Sequence, residues 1–466
     1  MFRKSLLLLG TASIALYSTA ASAAEKMSMD EIQAQLQQLA AQVQNLSEVV
    51  EQQNGIIKRQ ESELTAQKKA SVETAATLAN IQPAAGGIQG DVKISMNPSP
   101  KIESADGHYS FQPFGRVHFD VSHFDDDASE RASNANLRRA RLGFKGNLGE
   151  DFKYKTQIDF AEEGVALKDV SLTYTGLDNF DVKVGHHKPS FGFENNTSSN
   201  YIMTMERSTA TNAFTRSEII GANLLGGGEN WSWGLGVFNE DGGNSDTGDD
   251  EDISVDGRIT TNVLGWMNED TSSILHVGAG VSHRRPTGNV RFRARPVGDG
   301  ANIIDTGNFA AVDSVNVLSA ELGSVIGPFT FQGEYFDTEV SRNGGNSDAS
   351  FDGYFAQLGW FLTGESRPYN ASTGKYGRVK PIDPFSLKDG GAGAWEIVGA
   401  FSNTDLNDAS AGITGGEADT TTLGVNWHLT DRVRLMGNVV SVDTDANASV
   451  PDDDPTLYNM RVQWDF

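Results

Sequence analysis

Three arginines alternate with apolar residues in Arg291-Phe292-Arg293-Ala294-Arg295. In an extended segment, side chains at every second residue point the same way, about 7 Å apart. Such a row offers successive guanidinium forks to one side, and each fork can hold an oxyanion through two parallel N–H donors. An anion can then be handed from fork to fork without being trapped. A second set of cations shares one parity earlier in the chain: Arg116, His118, Arg139, Arg141, Lys145, Lys153, Lys155 and Lys183. That spacing predicts a basic wall on an acidic protein. Glu321, Glu334 and Glu396 share the corresponding parity later on. If they face the cations across a pore, the result is a transverse field with little net selectivity.

No other chemistry stands out. There is no Walker A pattern, no H-E-x-x-H and no cysteine, so the sequence carries no enzyme signature. His186 and His187 are adjacent, and on a strand their rings face opposite sides, so no shared metal and no cofactor is expected. The chain has 37 Lys+Arg against 62 Asp+Glu, a net charge of −25, which argues against nucleic-acid binding.

The cations need strands to position them, and from Tyr109 onward the pattern has period two. Phe152, Tyr154, Thr156, Ile158 and Phe160 interleave with Lys153, Lys155, Gln157 and Asp159. Trp231, Trp233, Leu235 and Val237 alternate with small residues, as do Leu275, Val277, Ala279 and Val281. The last strand is the sharpest: Tyr458, Met460, Val462, Trp464 and Phe466 alternate with Asn459, Arg461, Gln463 and Asp465. A soluble sandwich would bury the apolar face, whereas a transmembrane barrel turns it to lipid and encloses the polar face.

Three features favour the barrel. Arg3 and Lys4, the apolar run Ser5 to Tyr17 and the small residues Ala21 to Ala24 make residues 1–24 a signal peptide. No later stretch is apolar enough for a spanning helix. The chain also ends in an aromatic strand. About sixteen strands are expected over residues 109–466, enough for a water-filled lumen. Residues 25–70 carry a heptad pattern, with Leu36, Val43, Val50, Ile57 and Leu64 at one position and Ile32, Leu39 and Leu46 at its partner. This predicts a periplasmic coiled coil that oligomerises to bury its seam. Residues 71–108 read as a linker. The fold class expected is therefore all-β: a sixteen-stranded antiparallel transmembrane β-barrel preceded by a coiled-coil helix.

The short turns 147–150, 176–179 and 267–270 fall on the periplasmic side, and the stretches 125–136, 188–216, 240–252 and 286–310 fall outside. Gly364–Gly391 is too long for a periplasmic turn. Either the strand count is off by one or this segment folds into the lumen. The acidic runs 125–127, 249–252 and 452–454 lie in loops, without calcium-loop spacing. They are solvated there or bridge to lipopolysaccharide through divalent ions.

Four stretches resemble the phosphate-selective porin O/P family. They are Leu137-Arg138-Arg139-Ala140-Arg141 through Gly146; Gly185 through Glu194 with Met205-Glu206-Arg207-Ser208; Arg291 to Pro296 with Asp305-Thr306-Gly307; and Leu362 to Tyr369 with Gly393-Ala394-Trp395-Glu396. The resemblance implies a homotrimer of sixteen-stranded barrels in the bacterial outer membrane. Inward-folded loops, one from the periplasmic side, would narrow each lumen. It makes Arg291, Arg293 and Arg295 the ladder and Arg138 and Arg139 the central arginines, although strand parity points Arg138 outward. It assigns Lys188, Phe191, Glu194, Glu206 and Arg207 to the constriction loop. That loop holds none of the extra lysines a tight phosphate site would want. The implied activity is passive diffusion of anions, phosphate or polyphosphate. The alternatives are a weakly selective porin and an envelope tether whose coiled coil contacts peptidoglycan.

Overall fold

A computed structural model describes residues 92–96, 99–125, 133–161, 164–239, 253–267, 273–296, 302–445 and 454–466, with the helical residues Gln44, Gly55, Lys58, Ser62 and Thr65. The signal peptide, the heptad positions of the coiled coil and the linker before Val92 lie outside the described residues.

Two short strands, β1 (Val92–Ser95) and β2 (Lys101–Ser104), lead as an antiparallel ladder into β3 (Ser110–Asp125). The chain continues through β4 (Asn134–Asn147), β5 (Phe152–Asp159), β6 (Ala166–Tyr174) and β7 (Asp181–His187). Helices α1 (Phe193–Asn196) and α2 (Thr209–Phe214) follow. Next come β8 (Ile219–Gly227), β9 (Trp231–Asn239), β10 (Ile253–Asn262) and β11 (Ser273–Arg284). A small hairpin, β12 (Arg293–Ala294) with β13 (Ile304–Asp305), precedes β14 (Val312–Ile326), β15 (Phe329–Arg342) and β16 (Ala349–Phe361). A second hairpin, β17 (Tyr369–Asn370) with β18 (Lys375–Tyr376), precedes β19 (Ala394–Asp408), β20 (Ile413–His428), β21 (Val433–Thr444) and β22 (Thr456–Asp465).

Apart from β1, β2 and the two hairpins, every strand pairs antiparallel with its neighbour in the chain, and β22 returns to pair with β3 from Thr456↔Asp125 to Asp465↔Arg116. These sixteen strands form a closed barrel. Closure satisfies all ladder donors and acceptors and leaves no edge, which a backbone in hydrocarbon requires. The faces are inverted relative to a soluble protein. On β22, Tyr458, Met460, Val462 and Trp464 point out and are exposed, while Asn459, Arg461 and Gln463 point in and are buried. Leu358 and Leu423 likewise stand outside at 62% and 66% exposure.

Successive strands join alternately at two ends. One end carries short turns. The exception is residues 362–393, and the structure resolves the two alternatives for that segment. The sixteen strands stand, and the segment folds into the lumen. Arg367 within it is buried and donates to the Tyr201 carbonyl at 2.8 Å. From the opposite end, residues 188–218 also turn inward and are largely buried.

The lumen is divided rather than uniformly wet. Along β14–β16 it is filled by an apolar cluster in which Phe214, Phe292, Phe336 and Phe351 pack as tilted ring pairs at separations of 5.3 to 6.1 Å. The Ser208 side chain caps α2 by accepting the Thr211 N–H, which fixes the helix that contributes Phe214. The open space lies against the opposite wall, β3–β8.

Candidate functional site

The β3–β8 wall carries the cations. Register alone would put Arg116, Arg139 and Arg141 inside, and β-bulges add two more. His118 pairs with Arg139 and Phe119 with Leu137, so Arg138 is the extra residue. Gln157 pairs with Asp169 and Ile158 with Leu167, so Lys168 is the extra residue. A bulge lets consecutive residues turn to the same side. Both bulged cations line a cavity of about 610 Å³ together with Arg116, Arg139, Arg141, Lys155 and Lys183. The outward direction that parity assigns to Arg138 is thereby corrected.

Ten Lys and Arg residues line this cavity against four Asp and Glu. Half of the cations are neutralised locally. Arg139 grips Glu206 with two donors at 2.5 and 2.7 Å, and Arg138 reaches the same carboxylate at 3.3 Å. Arg141 donates to Asp159 at 2.6 Å. Lys155 and Lys183 share Asp169 at 3.0 and 3.4 Å. The other five have no carboxylate within salt-bridge reach among the described residues. Arg116 donates to the Ser199 and Ser198 hydroxyls at 2.7 and 3.3 Å. Lys188 is held by the Asn195 side chain and carbonyl at 2.9 and 3.0 Å. Arg207 donates to the carbonyls of Glu194, Asn195 and Thr197. Lys168 and Lys375 complete the set.

Neutral partners position Arg116, Lys188 and Arg207 without cancelling their charges, and the charge is felt most where water is scarce. Burial, then the neighbouring Arg207, holds the Lys188 ammonium well below its ordinary pKa. Burial would raise the Glu206 carboxyl, but Arg138, Arg139 and Arg461 together hold it well below the usual range.

The constriction segment is tied down from several sides. Glu334 accepts the N–H groups of Phe193 and Glu194 at 3.0 and 3.3 Å. Glu194 accepts from Ser208 at 3.0 Å and from Gln357 at 2.6 Å. Arg461 donates to Glu206 at 2.6 Å and grips Asp120 at 2.6 and 2.7 Å.

A second cavity of about 410 Å³ continues towards the short-turn end, past Leu177–Asp181 and Gly226–Gly227. It shares Ser190, Asn196, Leu225, Thr373 and Lys375 with the first. The two adjoin as one passage, basic along the first cavity and balanced along the second, where Arg258 and Lys375 stand against Asp178 and Asp181.

A family model described as phosphate-selective porin O and P matches residues 111–466. The chain belongs to this family. Porin O of Pseudomonas aeruginosa is 27% identical over 420 residues, covering 81% of this chain and 93% of that protein. An uncharacterized protein of Caulobacter vibrioides is 30% identical over 370 residues, covering 75% of this chain and 72% of the other. Among solved structures, the anion-selective porin from Comamonas acidovorans superposes with a TM-score of 0.49 at 13% identity, covering 77% of this chain and all of that one. The barrel and the family place the protein in the bacterial outer membrane.

In this porin the sequence-derived residues divide into three groups. Arg138, Arg139, Arg141, Lys155, Lys183, Lys188, Glu206 and Arg207 meet at the cavity. Phe191 and Glu194 are buried behind it and anchor the constriction segment. Lys145 and Lys153 are exposed near the short-turn end and do not line the cavity, Lys145 lying 5.5 Å from the Phe114 ring centre. The arginines of the segment 291–295, which includes β12, do project to one side. Arg291, Arg293 and Arg295 are exposed while Phe292 and Ala294 are buried, but all three lie outside the cavity lining, and Asp305 grips Arg291 at 2.5 and 2.7 Å. Glu321, Glu334 and Glu396 do face inward, yet all three are buried. Arg258 and His276 hold Glu321, and Arg367 holds Glu396. The inward segments cover that acidic wall, so it makes no open counterpart to the basic one.

Sequence reasoning missed Lys168, Ser198, Ser199 and Lys375. A charge beside a lumen charge, as in Lys168-Asp169, is a usable sign of a bulge. Lys375 sits in a segment without alternation and left no signal.

Proposed function

We propose that this porin passes anions by diffusion along the β3–β8 wall, with phosphate or polyphosphate as the preferred cargo. One observation carries the reading: the open passage is lined by cations that carbonyls, hydroxyls and amides position but no carboxylate cancels. An anion entering there exchanges hydration water for N–H donors already fixed in direction, which lowers the cost of dehydration. Local pairs such as Arg141–Asp159 keep the rest of the wall from binding too tightly to release. Arg293 on β12 and Arg295 just after it, both exposed, collect anions outside the cavity. The family name supports phosphate as cargo.

The assembly is read as a homotrimer set in outer-membrane lipid and lipopolysaccharide. Its short-turn end and N-terminal coiled coil face the periplasm, where the coiled coil approaches peptidoglycan.

The test is the reversal potential of the purified protein in a planar bilayer under a KCl gradient, followed by phosphate titration. A chloride-side potential with conductance blocked by low phosphate supports the reading. A cation-side or near-zero potential without block means a weakly selective porin instead.

A further inference from the structure

The β17–β18 hairpin enters the lumen from the short-turn end and is fixed to the ion-paired side of the barrel. Arg258 on β10, while holding Glu321 at 2.7 and 2.8 Å, also donates to the Gly374 carbonyl at 2.9 Å. The Tyr376 hydroxyl donates to the Phe331 carbonyl at 2.6 Å, and its ring lies 4.9 Å from that of Phe193. Tyr369 meets His276 at 2.6 Å. The hairpin is therefore held by its aromatic residues and its tip. Lys375, between them, lines both cavities. Its ammonium has no hydrogen-bond or carboxylate partner among the described residues.

We propose that Lys375 is a further selectivity-determining residue of the passage, a cation without a carboxylate or hydrogen-bond partner among the described residues where the two cavities join, offered to anions by a segment that folds in from the opposite end to the constriction loop. The proposal rests on the reading of the passage as an anion path and adds its regulation. An unpaired ammonium in a confined site needs a counter-charge, and the passing anion supplies one. The groups facing it are Lys155 on β5, Asp169 on β6, Lys183 on β7 and Arg258 on β10. Burial, then Arg258 and the two lysines, push the Lys375 pKa down to about 7, against the opposing pull of Asp169. The charge is therefore present in mildly acidic medium and lost as pH rises through neutrality. Anion binding favours the charged form, so a permeant anion and the proton reinforce each other.

The experiment is the reversal potential of the full protein under a KCl gradient, read at half-unit steps from pH 6 to pH 8.5, for wild type, Lys375→Arg and Lys375→Met. In wild type the anion-to-cation permeability ratio should fall about sixteenfold across a midpoint near neutrality, because one unit charge a few ångströms away at aqueous dielectric changes the anion about fourfold and the cation about fourfold in the opposite sense. Lys375→Arg should hold the pH 6 ratio throughout. Lys375→Met should show the wild-type pH 8.5 ratio at every pH. An anion-selective wild type with no pH dependence, or a Met variant that keeps the wild-type profile, overturns the role of Lys375 alone. A cation-side potential in all three proteins at pH 6 overturns the anion path itself.

Discussion

The Arg258 guanidinium lies 2.9 Å from the Gly374 carbonyl, and this contact joins the barrel wall to the hairpin that carries Lys375. The same guanidinium neutralises Glu321, which is buried. Arg258→Met leaves that carboxylate without its main partner, and removing one member of a buried pair costs about 3–5 kcal/mol. A lower melting temperature is expected, together with a larger single-channel conductance as the hairpin loosens. Arg258→Lys keeps a charge but not the fork and should restore only part of the stability. A conductance identical to wild type in Arg258→Met would show that the hairpin is held without this contact.

Gly374 is the second test of the hairpin. Its φ is +59°, and a Cβ there would lie 2.6 Å from Thr260 Oγ1. Gly374→Ala therefore combines backbone strain of about 1 kcal/mol or more with a steric clash. The expected result is a hairpin displaced from the β10 wall and noisier channel currents. Gly345, also at positive φ but with open space around it, is the control. Gly345→Ala carries the backbone strain alone and should leave the currents quiet.

Arg116 and Arg139 separate free charge from paired charge. Arg116 is held by serine hydroxyls, so Arg116→Gln should lower the anion-to-cation permeability ratio about sixteenfold, about fourfold through each ion, and barely alter stability. Arg139 is bonded to Glu206, so Arg139→Gln should act mainly on stability, by about 3 kcal/mol. Bilayer potentials and thermal unfolding of the two variants measure this contrast directly.

Acid should spare the constriction. The Glu206 carboxyl is held below its ordinary value of 4.5, so its contribution is fully present above that value and is lost only as pH falls through the lower folded value. Below pH 6, where Lys375 is already charged, single-channel conductance should stay constant down to about pH 4.5, where exposed carboxylates already take up protons. A change in conductance between pH 6 and pH 5 would contradict the pairing described for Glu206.

The outer face makes a separate prediction. Leu423 is 66% exposed near the middle of β20. Leu423→Arg should destabilise the barrel by about 2–4 kcal/mol in a bilayer, with selectivity unchanged. Refolding titrations into lipid vesicles would measure it.

The barrel was legible in the chain because its two faces see different solvents, and alternation such as Tyr458 to Phe466 records that contrast. The basic parity of Arg139, Arg141, Lys155 and Lys183 was legible for the same reason. Arg138 and Lys168 were not, because a bulge breaks the period that parity reasoning assumes. The fate of the acidic residues was hidden as well. Glu396 is neutralised by Arg367 from an inward segment, and no strand pattern records which loop will cover which wall. Nor does spacing alone distinguish Arg116, held by hydroxyls, from Arg139, held by a carboxylate. That distinction depends on where residues 188–218 fold back.

Arg461 stands on the last strand to join the sheet, and the carboxylate it holds, Glu206, belongs to a segment near the middle of the chain. The ion pair exists only when β22 lies beside β3. Arg461 thus ties the constriction segment to the seam where β22 closes on β3, one clasp beside those that Arg139 and Glu334 supply from other strands.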